Sequence, residues 1–332
     1  MLETTSEPTE ASSTAVLRAD SVVIGLVNNM PDAALEATER QFRSLLTEAS
    51  SGPSIRLRLF SFHEPQRSEA AREFLRLNYE DIHALWTADL DGLIVTGAQP
   101  RAQRVSDEPC WANLTKIVEW ADDNTTSAIW SCLAAHIAVR HLDGIERRRF
   151  ERKLSGVYEC VKMAEHALVC DVPRRRQVPH SRYYGLAEQE LVARDYQILS
   201  GSTMVGADLF TREQNSLFVF VHGHPEYEPD TLFREYRRDV RAFVAGEKET
   251  CPELPYGYFN EDVRARFVEF QEKLRRTQVI DPVLAFPRTD NAFPYTWRQP
   301  AVRLYSNWLA YLVEGKRRKL ESRLLGVESS TA

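Results

Sequence analysis

The first apolar run, Ser21-Val-Val-Ile-Gly-Leu-Val-Asn28, is short and nearly continuous, the pattern of a strand buried on both faces. Asn29-Met30-Pro31-Asp32 breaks it. Ala33 to Ala49 then places Leu35, Phe42, Leu45 and Leu46 at helical spacings. Ile55 to Phe62 alternates as a half-covered strand does, and Asp91 to Thr96 is a second buried strand, ended by Gly97. Trp111 to Trp120 predicts a helix. Ser127 to Trp130 is a third short apolar strand, leading into a helical stretch from Leu133 to His141. Buried strands alternating with helices predict an α/β fold with a doubly wound, mostly parallel sheet. From about 155 to 222 the texture changes to added β segments, at Gly156–Met163, Gln197–Ser200 and Leu217–Val221. C-terminal helices follow at Asp230–Ala245 and from Val302 onward.

These patterns divide the chain into a flexible tail over 1–19, one α/β domain over 20–315 and a second tail over 316–332. The tail at 1–19 offers little apolar surface to offset its ordering entropy. The charged, helix-prone stretch within 260–287 reads as an insertion. Composition is that of an ordinary globular chain: 332 residues, 43% hydrophobic and 27% charged. The net charge of −6 provides no global basic field, so nucleic acid is not expected as a partner. No stretch reaches the roughly 20 apolar residues of a membrane span, and the acidic, Ser/Thr-rich start does not resemble a secretory signal. Five cysteines without a CxxC pair suggest neither a disulfide framework nor structural zinc, and the simplest expectation is a reduced, cytoplasmic protein without a bound metal.

Among those cysteines Cys132 stands apart. It lies between the strand ending at Trp130 and the helix starting at Leu133, a turn that presents a side chain at the carboxyl edge of a parallel sheet. The helix start supplies partial positive charge and free N–H groups, Leu133 first, for an oxyanion. Gly97-Ala98 is the natural place for a second such N–H, because small residues let a substrate approach the backbone. The alternative reading of Cys132 is a small buried apolar residue. The second candidate is Phe220-Val-His222-Gly-His224-Pro-Glu226. Pro225 disfavours helix at His224, so His224 and Glu226 can share one side of an extended segment. A thiol needs a base, and the imidazole needs an acid to orient it; Cys132, His224 and Glu226 supply all three. His222 and His224 as metal ligands, or as a structural histidine pair, remain the alternatives. Arg182 and Arg237-Arg238 are cations able to fork a substrate carboxylate, or ordinary ion-pair arginines. The clusters Arg147–Arg149 with Arg152 and Lys153, and Arg174–Arg176, read as solvated charge runs or as contacts for the phosphates of a nucleotide-like carrier.

Taken together, several motifs resemble the homoserine O-acyltransferases of the MetA type, the homoserine O-succinyltransferase family. They are Asn28-Asn-Met-Pro31, Asn78-Tyr-Glu-Asp-Ile82, Asp91 to Ala98, Lys153 to Glu159, Pro179-His-Ser-Arg182, Gly223-His-Pro-Glu-Tyr227, Glu235 to Val240 and Asn307-Trp-Leu309. The resemblance spans about 22–313 and implies a class I glutamine amidotransferase-like fold. It also implies an enzyme in which Cys132 takes an acyl group from acyl-CoA as a thioester, with His224 as base and Glu226 as its orienting acid. The acyl group then passes to the hydroxyl of homoserine or a related amino acid such as serine, in methionine biosynthesis. Lys153, Ser181, Arg182 and Arg238 match family positions around the substrate pocket. The implied small-molecule partners are acyl-CoA, as co-substrate rather than bound cofactor, and the amino acid; a homodimer is also implied.

The chain departs from the family pattern at several points. Asp32, Ala33 and Ala34 follow Met30-Pro31 where a lysine pair is usual, and Leu133 stands where tryptophan is common. Arg101 occupies the position that selects the acyl group, otherwise small or acidic. A guanidinium there favours a donor with a free carboxylate, succinyl over acetyl, unless it pairs with Asp107 or Glu108. A glutaminase or amidohydrolase on the same three residues, and a non-catalytic protein that kept the scaffold, are the competing functions.

Overall fold

The computed structural model describes residues 21–50, 52, 54–62, 67–277, 286–289 and 293–324. The tail expected over 1–19, part of the stretch expected as an insertion and the end of the C-terminal tail lie outside these. The strands are β1 (Ser21–Val27), β2 (Ser54–Ser61), β3 (Glu80–Asp81), β4 (Gly92–Val95), β5 (Ser127–Ser131), β6 (Arg148–Lys162), β7 (Arg175–Gly185), β8 (Gln197–Ser202), β9 (Gly206–Glu213) and β10 (Leu217–Val221). The helices are α1 (Asp32–Ala49), α2 (Glu69–Asn78), α3 (Trp111–Asn124), α4 (Leu133–Asp143), α5 (Glu188–Val192), α6 (Thr231–Val244), α7 (Glu261–Thr277) and α8 (Arg298–Leu324).

All ten strands join one sheet in the order β3-β2-β1-β4-β5-β10-β9-β8-β6-β7. From β3 to β10 every pairing is parallel; from β10 to β7 every pairing is antiparallel. The doubly wound α/β sheet is therefore present, and the added β segments extend it rather than forming a separate layer. Two of those strands, β7 and β9, and the helix α2 go beyond the elements legible in the sequence. The helix α8 runs to Leu324, so the segment expected as a tail from 316 begins as helix.

Alternate residues of the parallel strands serve opposite faces, as strand geometry requires. Val22, Ile24, Leu26, Ile94, Ile129 and Val219 pack under α1 and α8. On the other face Val95, Ala128, Trp130, Phe218 and Phe220 pack under α3 and α4. The charged helix α7 is amphipathic: Val263, Phe267, Phe270 and Leu274 form a smaller core with Tyr236 and Val240 of α6.

Strand register decides which residues meet at the edge of the sheet. Val95 pairs with Trp130, and Ser131 with Val221. Just past these pairs, the chains of β4, β5 and β10 reach Gly97, Cys132 and His222 at one level of that edge.

The helix α8 is anchored by Trp308, which is 1% exposed and whose Nε1 donates to the Ser127 Oγ at 2.9 Å. Replacing Trp308 with alanine removes a large buried ring and leaves that hydroxyl without its donor. We expect a loss of about 3–5 kcal/mol in unfolding free energy, read from urea titration; a change under about 1 kcal/mol would mean that α8 is not part of the core.

Candidate active site

Cys132 sits at φ 51°, ψ −109°, one of three non-glycine residues at positive φ among those described. Such backbone costs on the order of 1–3 kcal/mol and persists only where its surroundings hold it. The Cys132 N–H donates to the Val221 carbonyl at 2.8 Å, which ties the turn to the end of β10. On the other side Gly97 presses against it. A Cβ at position 97 would lie 2.9 Å from the Leu133 nitrogen and 3.0 Å from the Ser131 oxygen, so only glycine fits. The amides of Ala98 and Leu133, expected from the sequence as oxyanion donors, donate no hydrogen bond to any described group. Both residues line one cleft of about 270 Å³, together with Asn29, Met30, Pro31, Arg101 and Glu108.

His224 follows β10 and is fixed by its own backbone, its N–H donating to the Pro179 carbonyl of β7 at 2.8 Å. Its Nδ1 lies 2.8 Å from the Glu226 Oε1; a carboxylate only accepts, so Nδ1 carries the proton. The Cys132 side chain lies beside the same ring and interacts with it. Burial disfavours the imidazolium, yet the Glu226 charge and the Cys132 contact hold its pKa well above the usual histidine value. The three residues picked from sequence therefore meet as a triad. His222 is different. Its Nδ1 donates to the Ala207 carbonyl at 2.7 Å, its ring stacks on His136 at 4.8 Å, and burial pushes its pKa down to about 3. Neither His222 nor His224 belongs to a group of three potential metal ligands among the described residues.

One such group does exist: Cys160, His180 and Asp208, all buried. Arg176 already pairs with Asp208 at 2.6 Å, and the Arg182 Nε donates to the His180 Nδ1 at 3.3 Å. The proton on His180 is then at Nε2, facing Asp208, where a metal would need a lone pair. The cluster is a buried charge network packed beneath Gly223, where a Cβ would lie 2.6 Å from the Asp208 Oδ1.

Lys153, Ser181 and Arg238 come together, around acids the sequence did not single out. The Ser181 Oγ and, at 2.8 Å, the Tyr227 hydroxyl donate to Glu235; Lys153 lies 3.7 Å from Glu235 and 2.9 Å from Asp239. Arg238 pairs with Asp239 at 3.1 Å. Burial opposes ionisation of Glu235, but Lys153 and Arg238 hold its carboxyl below the usual range. Tyr227 stacks on His224 at 4.3 Å and so links this group to the triad. The spacing of Glu235 and Asp239, four apart on one face of α6, was the available signal.

Arg182 departs from the expectation of a substrate-facing fork. Its guanidinium donates to the carbonyls of Tyr184 at 2.6 Å and Val205 at 2.5 Å. Burial pushes its pKa down to about 10 against the opposing pull of Cys132 and Asp208. It braces the floor of the site. The basic clusters are mostly ion pairs: Arg147 with Glu108, Arg148 with Glu190, Arg152 with Glu253, Arg175 with Glu159.

Fold and site together define an α/β protein with a cysteine–histidine–glutamate triad at the carboxyl edge of its parallel strands. A family model described as homoserine O-succinyltransferase matches residues 7–318. The homoserine O-succinyltransferase of Methylorubrum extorquens is 46% identical over 289 residues, 86% of each chain. That of Bradyrhizobium japonicum is 44% identical over 301 residues, covering 89% of this chain and 91% of its own. A solved glutamine amidotransferase from Methylobacillus flagellatus aligns over 88% of this chain and 95% of its own, at TM-score 0.49 and 12% identity. The chain belongs to the homoserine O-succinyltransferase family and is a transferase. No helix among the described residues is long and apolar enough to cross a membrane.

The geometry of the triad yields two expected outcomes. His224→Ala should lower kcat by roughly 10²–10⁴-fold, the usual loss for a general base, and His222→Ala by far less; equal losses would contradict the assignment. Because the His224 pKa is raised on folding, its protonation favours the folded state. That contribution is complete below the unfolded value of about 6.5 and is lost as pH rises through the folded value. The stability advantage of wild type over His224→Gln should therefore shrink as pH rises, in urea unfolding measured across that range. An advantage that grows with pH would show the ring buried neutral.

Proposed function

We propose that this chain transfers a succinyl group from succinyl-CoA to the hydroxyl of homoserine through a thioester on Cys132, a step of methionine biosynthesis. The observation that carries the reading is the strained Cys132 placed beside a Glu226-backed His224. In the first half-reaction the Cys132 sulfur attacks the thioester carbonyl. The carbonyl oxygen becomes an oxyanion facing the Ala98 and Leu133 amides. The C–S bond to CoA then breaks, and the imidazolium of His224 protonates the leaving thiolate. In the second half-reaction His224 takes the proton of the homoserine hydroxyl as its oxygen attacks the acyl carbonyl. Cys132 leaves as thiolate, and the O-succinyl ester departs. Glu226 stabilises the imidazolium in both halves without itself taking the proton.

The amino acid is assigned to the charged group beside the triad. Glu235 offers an acceptor for the α-ammonium, and Arg238, half exposed, offers a guanidinium to the carboxylate. The donor is assigned to the cleft lined by Arg101. Its guanidinium has no ion-pair partner among the described residues, because Glu108 is taken up by Arg147. That favours a dicarboxylic acyl group.

Cys132→Ala should abolish transfer while leaving the unfolding midpoint within a few degrees of wild type, since a single sulfur atom is removed; wild-type turnover in this variant would rule out the covalent route. For the donor, kcat/KM for succinyl-CoA against acetyl-CoA should fall in Arg101→Gly by roughly 10–100-fold, the range for a hydrogen-bonded charge. An unchanged ratio removes Arg101 from acyl selection.

A further inference from the structure

The loop from Gly97 to Glu108 carries the Ala98 amide and Arg101, yet its only regular element is a single 3₁₀ turn over Val105–Asp107. What fixes it is a buried charge pair. Glu108 and Arg147 meet at 2.6 Å with each side chain about 1% exposed. The Glu108 carboxylate also accepts the N–H of Arg101 at 2.9 Å and that of Ala102 at 3.2 Å. Arg147 donates to the Ala102 carbonyl at 2.5 Å and lies over the Tyr184 ring at 4.0 Å; the Tyr184 hydroxyl reaches the same carbonyl at 3.3 Å. The loop backbone is thus held by one acid and one base, and the acid touches the residue that carries the cleft's unpaired cation.

Arg101 is exposed, and the Glu108 carboxylate, which already accepts its backbone N–H, is a competitor for its guanidinium. Without Arg147, Glu108 is an uncompensated buried charge that gains by recruiting a nearby cation. We propose that Arg147, by neutralising Glu108, keeps Arg101 free for the terminal carboxylate of the donor, so that Glu108 and Arg147 are positioning residues for acyl selection. This rests on the assignment of Arg101 to the donor's acyl group. The pair touches neither the triad nor the charged group around Glu235; a disturbance of the loop's Ala98 amide would act on both donors alike, whereas capture of Arg101 changes their ratio.

The test compares kcat/KM for succinyl-CoA with that for butyryl-CoA, which has the same carbon chain and no carboxylate. Arg147→Met should lose the preference for succinyl-CoA by roughly 10–100-fold, because Glu108 captures Arg101. Arg147→Lys keeps the neutralising charge and should keep the ratio. In Glu108→Gln/Arg147→Met no acid remains, the Gln oxygen still accepts the loop amides, and the ratio should return toward wild type. Replacing both partners of a buried pair is commonly tolerated, whereas losing one is costly. Should Arg147→Met not fold, Arg147→Gln, which retains a donor for the Ala102 carbonyl, takes its place. A purely structural pair predicts that the single and double variants fall alike on both donors, and that result overturns the proposal. It is equally overturned if Arg147→Met keeps the ratio while Arg101→Gly loses it. If Arg101→Gly itself keeps the ratio, the donor assignment fails and the proposal falls with it.

Discussion

The hydrogen bond from the Cys132 amide to the Val221 carbonyl is the contact on which the site depends. It joins the ends of two neighbouring parallel strands, β5 and β10, and holds Cys132 in a conformation that its own side chain disfavours. The third neighbour, β4, delivers Gly97 at the same level, with no Cβ to obstruct the Leu133 amide. Cys132, the histidine segment and both candidate oxyanion amides thus come from three adjacent strand ends. Their relative positions are set by backbone ladder bonds, not by side-chain packing.

The antiparallel half of the sheet does a different job. Its strands β7 and β9 grip the segment after β10 through the Pro179 and Asp208 carbonyls, which accept from the His224 and His222 amides. Beneath this segment lies a buried network of Arg176, Asp208, His180 and Arg182, in which Arg176 pairs with Asp208, and burial, with the Arg182 charge adding to it, keeps His180 neutral. This network forms the floor under His224, and Gly223 is the residue that lets the chain cross it closely.

The parallel half was legible because its strands are short apolar runs closed by glycine, cysteine or asparagine, and that pattern has few other readings. Cys132, His224 and Glu226 were legible for a local reason as well: a strand-to-helix turn and a His-x-Glu segment behind a strand are contained in a few residues. The strands β7 and β9 were not. Arg175, Arg176, His180 and Arg182 give β7 the look of a charged loop, and the Asp208 that pairs with Arg176 and the Val205 carbonyl that accepts from Arg182 lie well downstream in the chain. The helix α2 does carry a short apolar stripe, Ala71, Phe74 and Leu75, but it spans only ten residues and buries only Ala71, so its signal in the sequence is weak. Glu235, Asp239 and the Glu108–Arg147 pair acquire meaning only from residues far away in the chain. Arg147, which reads in the sequence as part of a solvated basic run, is nearly fully buried.

Whether Cys132 carries the acyl group can be read directly from the mass of the intact protein. Wild-type protein mixed with succinyl-CoA in the absence of acceptor should gain the mass of one succinyl group. Peptide mapping should place that group on Cys132, the adduct should be absent from Cys132→Ala, and it should disappear on adding homoserine with release of the O-succinyl ester. Wild-type turnover without any adduct under rapid quench, or an adduct on another residue that homoserine discharges at the rate of turnover, would contradict the assignment of Cys132 as the acyl carrier.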